Sequence, residues 1–435
     1  MAQKVRQTPL PPGQALRPRG GVLASAPRMW PWLLALALVA PDTATRVVLL
    51  TVGPGDRVWE RFGHNALWVR SATVDVVYNY GLFDFHQPGF LGRFLRGRMR
   101  YAMAGLPTAP MLAQYAAANR RIVAQELALD PAQRARLLAF LRWNDTPEHR
   151  YYRYEYFRDN CSTRVRDALD RALGGQLRAQ TAHLPAGTTY RFHSLRLTAD
   201  DPLVYLGIAV GLSGYADRSL SRWEDMFIPM QMAMHMRAVR VRWADGTVHP
   251  LVVREWVVWP STRPEPPAAP PRSLGWFVLG GVGLGVALAG LGLAAAHGRR
   301  GAAVGFRGLG GLWTVTGGLA GAVLLFLWAA TDHVAAHRNV HLLLLPPFLL
   351  LWPWVRPRNA ARLAAAAVAL AALAPWVAVL PGWRQEIALV VALALPAHLG
   401  LAVGSAVQAR RGAARPPSPA AAPDPALVPS PPAHG

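Results

Sequence analysis

Apolar residues follow two arrangements along this chain, and the change from one to the other falls near residue 260. Between residues 44 and 259 short apolar runs alternate with polar ones, and the period shifts between two and about 3.6. Alternation predicts strands over Arg46–Val52, Asn65–Val69, Val74–Tyr80, Val239–Trp243 and Val248–Val258. Helical spacing predicts helices over Ala109–Asn119, Pro131–Trp143, Cys161–Leu173 and Trp223–Met236. The mixture describes one α+β domain. Its sharpest switch lies in YYRYEYFRDNCSTRVRDALDRAL (151–173), where alternating Tyr152, Tyr154 and Tyr156 give way at Asp159-Asn160 to a helical stripe. Val165, Ala168, Leu169, Ala172 and Leu173 fall at i, i+3, i+4, i+7 and i+8. Asp159 and Asn160 are favoured N-cap types, so that helix is expected to begin at or just after Cys161.

Beyond residue 260 the amphipathic pattern ends. PSTRPEPPAAPPR (260–272) can be neither helix nor central strand and reads as a semi-rigid linker over 260–273. Five apolar segments follow, at about Leu274–Ala296, Leu309–Ala330, Val340–Val355, Leu363–Leu380 and Ile387–Val407. Most approach the ~20 residues that cross a hydrocarbon core of ~30 Å, and they lack the polar face of a buried soluble helix. The third is the weakest, being interrupted by Pro346-Pro347. The expectation is an all-α bundle of about five transmembrane helices over 274–408, with a disordered Pro/Ala-rich tail over 409–435. Residues 1–43 hold a Pro- and Arg-containing extension and then Gly21–Ala40, whose core MWPWLLALALVA reads as a signal peptide or a signal anchor.

Composition agrees with a membrane protein: 52% of the 435 residues are hydrophobic and only 16% charged, with a formal charge of +22 carried almost wholly by arginine. Such a basic chain raises the question of nucleic acid. The arginines lie instead between apolar segments, at Arg299, Arg300 and Arg307, at Arg356, Arg358 and Arg362, and at Arg410, Arg411 and Arg415. That is a positive-inside pattern and not a nucleic-acid face. It puts the alternate loops, TDHVAAHRN (331–339) and PGWRQE (381–386), outside, together with the α+β domain, in agreement with the export signal.

The chain has one cysteine, Cys161, so no internal disulfide forms and an exported thiol needs a reason to exist. At a helix start it faces unpaired backbone N–H groups and the positive end of the helix dipole, which favour thiolate and could hold an oxyanion. A cysteine nucleophile needs a base, and the outer domain offers His64, His86, His149, His183, His193 and His235. His64, in WERFGHNALWV, follows a glycine and opens a strand, which suits a side chain projecting into a cleft. Asp332, His333, His337, Asn339 and His341 cluster around one outer loop, but without cysteine or regular ligand spacing they suggest a polar lining and no metal. Gly281 and Gly285 form a GxxxG pair suited to close helix packing.

Histidine on a strand followed about a hundred residues later by cysteine at a helix start inverts papain order. It resembles the circularly permuted NlpC/P60 and lecithin-retinol-acyltransferase-like group. A closer resemblance rests on FGHNALWV (62–69), YNYGLFDFHQPGFLGRFLRGRMRY (78–101), YFRDNCSTRVRDAL (156–169), GYADRSLSRWEDMFIP (214–229) and DHVAAHRNVHLLLLP (332–346). In that order they are similar to the Lnb-type bacterial lipoprotein N-acyltransferases, over roughly residues 45–400. The resemblance implies a permuted papain-like periplasmic domain on a membrane bundle of the inner (cytoplasmic) membrane. It makes Cys161 the nucleophile and His64 its base, with Asn79 or Asp75 orienting the imidazole; Asn79 is favoured because YNYG belongs to the matching block. No cofactor is implied. The implied partners are a membrane phospholipid as acyl donor and a diacylated lipoprotein as acceptor.

Arg96, Arg98 and Arg100, in GRFLRGRMR (92–100), are candidates to receive phosphate head groups or to form a solvated basic face. Asn160 is read as the helix cap and as a candidate substrate contact; Asp84 reads as a turn residue and Glu224 as a support of the fold or the site. Rival functions for the same residues are a cysteine-dependent phospholipase, an envelope peptidase of the NlpC/P60 kind, and a non-catalytic envelope protein.

Overall fold

A computed structural model describes residues 45–83 and 88–414. The Gly21–Ala40 stretch, Asp84, His86 and the tail beyond Ala414 lie outside the described residues. The first strands are β1 (Arg46–Val52), β2 (His64–Arg70), β3 (Asp75–Leu82), β4 (Arg100–Pro107), β5 (Ile122–Leu127) and β6 (Tyr151–Arg153). Two small antiparallel pairs follow, β7 (Pro185–Thr189) with β8 (Ser219–Ser221) and β9 (Arg240–Arg242) with β10 (Val248–Pro250). With β11 (Val252–Trp259), strands β1 to β6 make a seven-stranded antiparallel sheet in the order β11-β5-β1-β2-β3-β4-β6.

β1, apolar at both parities, is a central strand with both faces covered. Val47 and Leu49 join Leu67, Val69, Tyr78, Tyr80 and Met103 on one face. Val48, Leu50 and Val52 join Ala66, Trp68 and Val77 on the other. Each such side chain contributes about 1.5–3 kcal/mol on full burial, so both faces of the strand stabilise the sheet. The first face is covered by α3 (Pro131–Asn144) and α4 (Cys161–Ala172); the second carries Met111 of α2 (Thr108–Ala117), which follows the short α1 (Phe90–Leu95). The apolar stripe read from 165–173 is what α4 buries: Val165, Ala168, Leu169 and Ala172 are all in that first cluster.

Helices α5 (Gln176–Thr181), α6 (Tyr190–Leu197), α7 (Pro202–Gly211), α8 (Arg222–Asp225) and α9 (Pro229–Met236) complete the domain. The single helix expected over Trp223–Met236 is therefore two. Pro229 has no N–H to continue the ladder, and Ile228 before it is extended at φ −93°, ψ 123°. The strand expected over Val248–Val258 also divides, at Leu251, whose N–H donates to Val239 while its carbonyl accepts from Ala128.

Past the linker, four helices among the described residues are long and apolar enough to cross a membrane: α10 (Leu274–Ala296), α11 (Arg300–Ala330), α13 (Pro357–Val377) and α14 (Ala388–Ala414), α12 (His341–Leu344) being short. The third expected span differs. It is α12 followed by a 3-10 stretch, Pro347–Trp354, because Pro346 and Pro347 cannot continue an α-helix. This broken segment still runs antiparallel to α11. Leu345 lies against Gly321, Leu350 against Gly318 and Trp352 against Gly310, a travel of about 16 Å at 1.5 Å per residue. It thus returns the chain to the end of α11 that carries Arg300 and Arg307. The GxxxG reading of α10 holds as packing: a Cβ on Gly281 would strike the Ala392 carbonyl and one on Gly285 the Pro396 carbonyl, both on α14.

The bundle and the domain are fastened together. Asn339 Nδ2 donates to the carbonyls of Val210 (2.9 Å) and Gly211 (3.1 Å) at the end of α7, and Gln385 Nε2 donates to Asn339 Oδ1 at 2.9 Å. His341 Nδ1 also meets the Val210 carbonyl, at 2.8 Å. Asp332 is held by Arg98 (2.7 Å) and Arg153 (3.0 Å) of the domain. The outer-loop cluster is therefore polar packing against the domain.

Candidate active site

Cys161 is the first residue of α4, and Asn160 caps it. The Asn160 Oδ1 accepts from the Thr163 N–H at 2.9 Å, and Thr163 Oγ1 returns a bond to the Asn160 N–H at 2.8 Å. The Asn160 amide nitrogen donates to the carbonyls of Tyr156 (2.9 Å) and Phe227 (3.0 Å). Buried and engaged at both ends, Asn160 is the cap.

β2 lies against the start of α4. The backbone N–H groups of Asn65 and Ser162, with that of Cys161 itself, reach the sulfur. Asn65 is the residue after His64, so strand and helix together set the imidazole's residue beside the thiol's. Burial pushes the Cys161 thiol up, and those N–H groups and the Arg120 charge pull it back only in part. The helix-start argument for a standing thiolate is thus outweighed by desolvation. His64 moves the other way. Burial lowers it to about 4, with Arg120 adding to the shift and the bond to Asn79 opposing it. At neutral pH the thiol and the imidazole are therefore both uncharged, and the imidazole is a base able to accept a proton.

The β2–β3 register decides which of Asn79 and Asp75 meets His64. Ala66 pairs with Asn79, so His64 and Asn79 share a sheet face, and His64 Nε2 meets Asn79 Oδ1 at 3.1 Å. Asn79 Nδ2 is itself held by the Val77 carbonyl at 3.0 Å. His64 Nδ1 has no hydrogen-bond partner among the described residues. Asp75, at the far end of β3, receives the Trp68 indole N–H at 2.6 Å and the Thr108 hydroxyl at 2.7 Å instead. Glu224 caps α8 through Ser221 and pairs with Arg218 at 2.7 Å, so it supports the fold.

The other candidate bases are elsewhere. His149 is exposed beside Trp143, and His183 is exposed. His193 and His235 both bind Asp225, at 2.6 and 2.8 Å, in a buried hub. Of the candidate arginines, Arg98 is paired with Asp332, Arg100 lies over the Tyr151 ring at 4.0 Å, and the exposed Arg96 has no side-chain partner among the described residues.

Several site residues carried no signal in the sequence. Gly81, at φ +90°, leaves room for Cys161: a Cβ there would sit 3.5 Å from the cysteine's own. Arg120 is buried, donates from Nε to the Gly53 carbonyl at 2.9 Å and keeps Nη2 without a partner among the described residues. It lies over Tyr115, whose ring is 6.0 Å from that of His64. An aromatic row also starts beside the thiol. Phe83 stacks on Tyr101 (5.1 Å), Tyr101 on Tyr154 (4.2 Å), Tyr154 meets Tyr156 edge-on (5.9 Å), and Tyr156 stacks on His333 (5.9 Å). Tyr101 is pushed up to about 12 by burial and by the Cys161 charge next to it. The row thus links the sulfur to the outer loop of the bundle. A separate cleft of about 780 Å³ follows the other side of α4, between Arg164, Asp167 and Asp332, and does not include the thiol.

Residues 36–196 match the family described as the Lnb N-terminal periplasmic domain, and residues 287–407 the Lnb transmembrane domain. Comparison with curated proteins and with solved structures finds no match. With both family domains matched in order, the chain belongs to the Lnb family and is a multi-pass membrane protein with a periplasmic domain.

Proposed function

We propose that this protein is a lipoprotein N-acyltransferase of the inner membrane, moving an acyl chain from a phospholipid through a Cys161 thioester to the α-amine of a diacylglyceryl-cysteine. The catalytic unit would be residues 44–259, joined by the linker 260–273 to the bundle. The observation that carries the reading is the assembly of Cys161 at a helix start, backbone N–H groups around its sulfur, and a neutral His64 one residue from Asn65 with Asn79 behind it.

In this reading His64 Nδ1 takes the Cys161 proton as the sulfur attacks an ester carbonyl. The N–H groups that surround the sulfur hold the oxyanion. The ester C–O bond breaks, and His64 returns its proton to the departing lysophospholipid oxygen. The acyl chain, now a thioester, lies along the aromatic row toward the membrane. The free amine then attacks, the C–N bond forms, the C–S bond breaks, and the displaced proton passes through His64 to restore the thiol. A thioester suits the second half because an amine attacks it more readily than it attacks an ester. Arg96, with Arg98 and Arg100 beside it, would sit at the donor's phosphate.

Mass spectrometry tests this directly. Protein purified from membranes should carry an acyl adduct on Cys161 that an added diacylated lipopeptide removes. Cys161→Ser should lower N-acylation by at least about 10³-fold. Normal lipoprotein acylation supported by the serine variant would sink the reading. An adduct resolved by water alone would make the protein a phospholipase.

A further inference from the structure

α1 is apolar at four of its six positions, and Leu91, Phe94 and Leu95 are 67%, 42% and 48% exposed. They stand at i, i+3 and i+4, one face of a helical turn that stays exposed among the described residues. Single exposed apolar residues are ordinary, but a contiguous face on a short helix asks for an occupant.

Its position supplies one. The Phe94 carbonyl meets His333 Nε2 at 3.1 Å, and the Arg96 carbonyl accepts from the Asp332 N–H at 2.9 Å. Gly97, at φ +69°, packs so closely that a Cβ would lie 3.0 Å from the Asp332–His333 peptide. Asp332 and His333 come directly after Thr331, the C-cap of α11. α1 is therefore tied to the very end of a helix long and apolar enough to cross a membrane. The same end of the bundle carries Trp276, Trp328, Trp376 and Trp383, the first three exposed. Such a tryptophan belt marks the level of lipid head groups. Arg93, Arg96, Arg98 and Arg100 flank the apolar face, as on a helix lying among anionic head groups.

We propose that α1 is inserted in the outer leaflet of the bilayer, with Leu91, Phe94 and Leu95 among the acyl chains and the neighbouring arginines at the phosphates. The inserted turn continues the apolar surface of α11 and holds the thiol-bearing domain at a defined height. It stands whether or not Cys161 performs acyl transfer; with the proposed activity, it is the point at which a donor lipid meets the domain.

The single cysteine makes the test practical. In a Cys161→Ser background, Leu91→Cys carries a nitroxide in the full-length protein in phosphatidylethanolamine/phosphatidylglycerol nanodiscs. Thr73→Cys, in the β2–β3 turn at the other end of the strand from His64, serves as the aqueous comparator. The Leu91 label should be relaxed several-fold more by oxygen relative to a water-soluble nickel chelate than the Thr73 label. Equal relaxation profiles at the two sites would overturn the insertion. Separately, Phe94→Glu should slow acyl loading of Cys161 from bilayer phospholipid by about tenfold or more. If the parent protein never loads, the acyltransfer reading fails while the nitroxide depth still decides the insertion. Normal loading in Phe94→Glu overturns the insertion and leaves the acyltransfer reading intact.

Discussion

Two places in the periplasmic domain use the same side chains to opposite ends. At the Asp225 hub, His193 and His235 point their Nε2 atoms at one buried carboxylate, and Arg196 Nε occupies the remaining His193 nitrogen at 2.9 Å. Burial alone would raise the Asp225 carboxyl, but bonds from His193, His235 and Thr188 hold it well below the carboxylate range. His193 is thereby engaged at both ring nitrogens. At the start of β2, His64 has a neutral amide for a partner and one ring nitrogen with no partner among the described residues, and its neighbour Asn65 turns a backbone N–H toward Cys161. A carboxylate would have favoured imidazolium; an amide orients the ring and leaves it a base. A buried charged partner makes a histidine structural, and a neutral one leaves it available for chemistry.

Exchanging the fates of the two sites is the strongest way to break that comparison. His64→Ala should lower lipoprotein N-acylation by about 10³-fold or more while moving the melting temperature little, since only the Asn79 bond is lost. Near-normal acylation in this variant would mean that the β2 edge is not the working site. Asp225→Asn should do the reverse. Removing the charge strands two buried imidazoles and a threonine hydroxyl, at a cost of about 3–5 kcal/mol, visible as a clear drop in the melting temperature. An unchanged melting temperature would contradict the structural role of the hub.

A finer measurement concerns Arg120. A cation disfavours the imidazolium, so Arg120→Gln should let His64 accept a proton at higher pH. The acid limb of kcat/KM, expected near pH 4, should then move up toward 6.5, stopping short because burial remains the larger cause. Stability follows the same sign. Between about 4 and 6.5 the unfolded chain holds more protons at His64 than the native one, so stability rises with pH across that window, and the window narrows in the variant. A pH profile identical to that of the parent would show that Arg120 does not act on His64.

Much of the architecture was legible because it depends on local pattern. β1 begins and ends at the predicted residues, and α4 starts at Cys161 with the predicted cap. The failures have local causes that a periodicity count passes over. Pro229 and Pro346-Pro347 broke elements whose apolar spacing continued through them. Residue chemistry was harder to read. Asn79 was favoured over Asp75 only by resemblance, until the hairpin register put one beside His64 and the other beneath Trp68. Arg98, a candidate head-group contact, also bonds a loop 234 positions away, which no local spacing foretells.

By itself, the sequence determined the alternation that makes the sheet, the capped helix carrying the lone thiol and four of the apolar spans. These follow from the spacing and transfer energies of neighbouring residues. Only the tertiary structure decided which side chain His64 meets, how Asp225 gathers its two histidines and how the domain is fastened to the bundle. Those outcomes depend on register, burial and contacts between residues far apart in the chain, for which no local pattern exists.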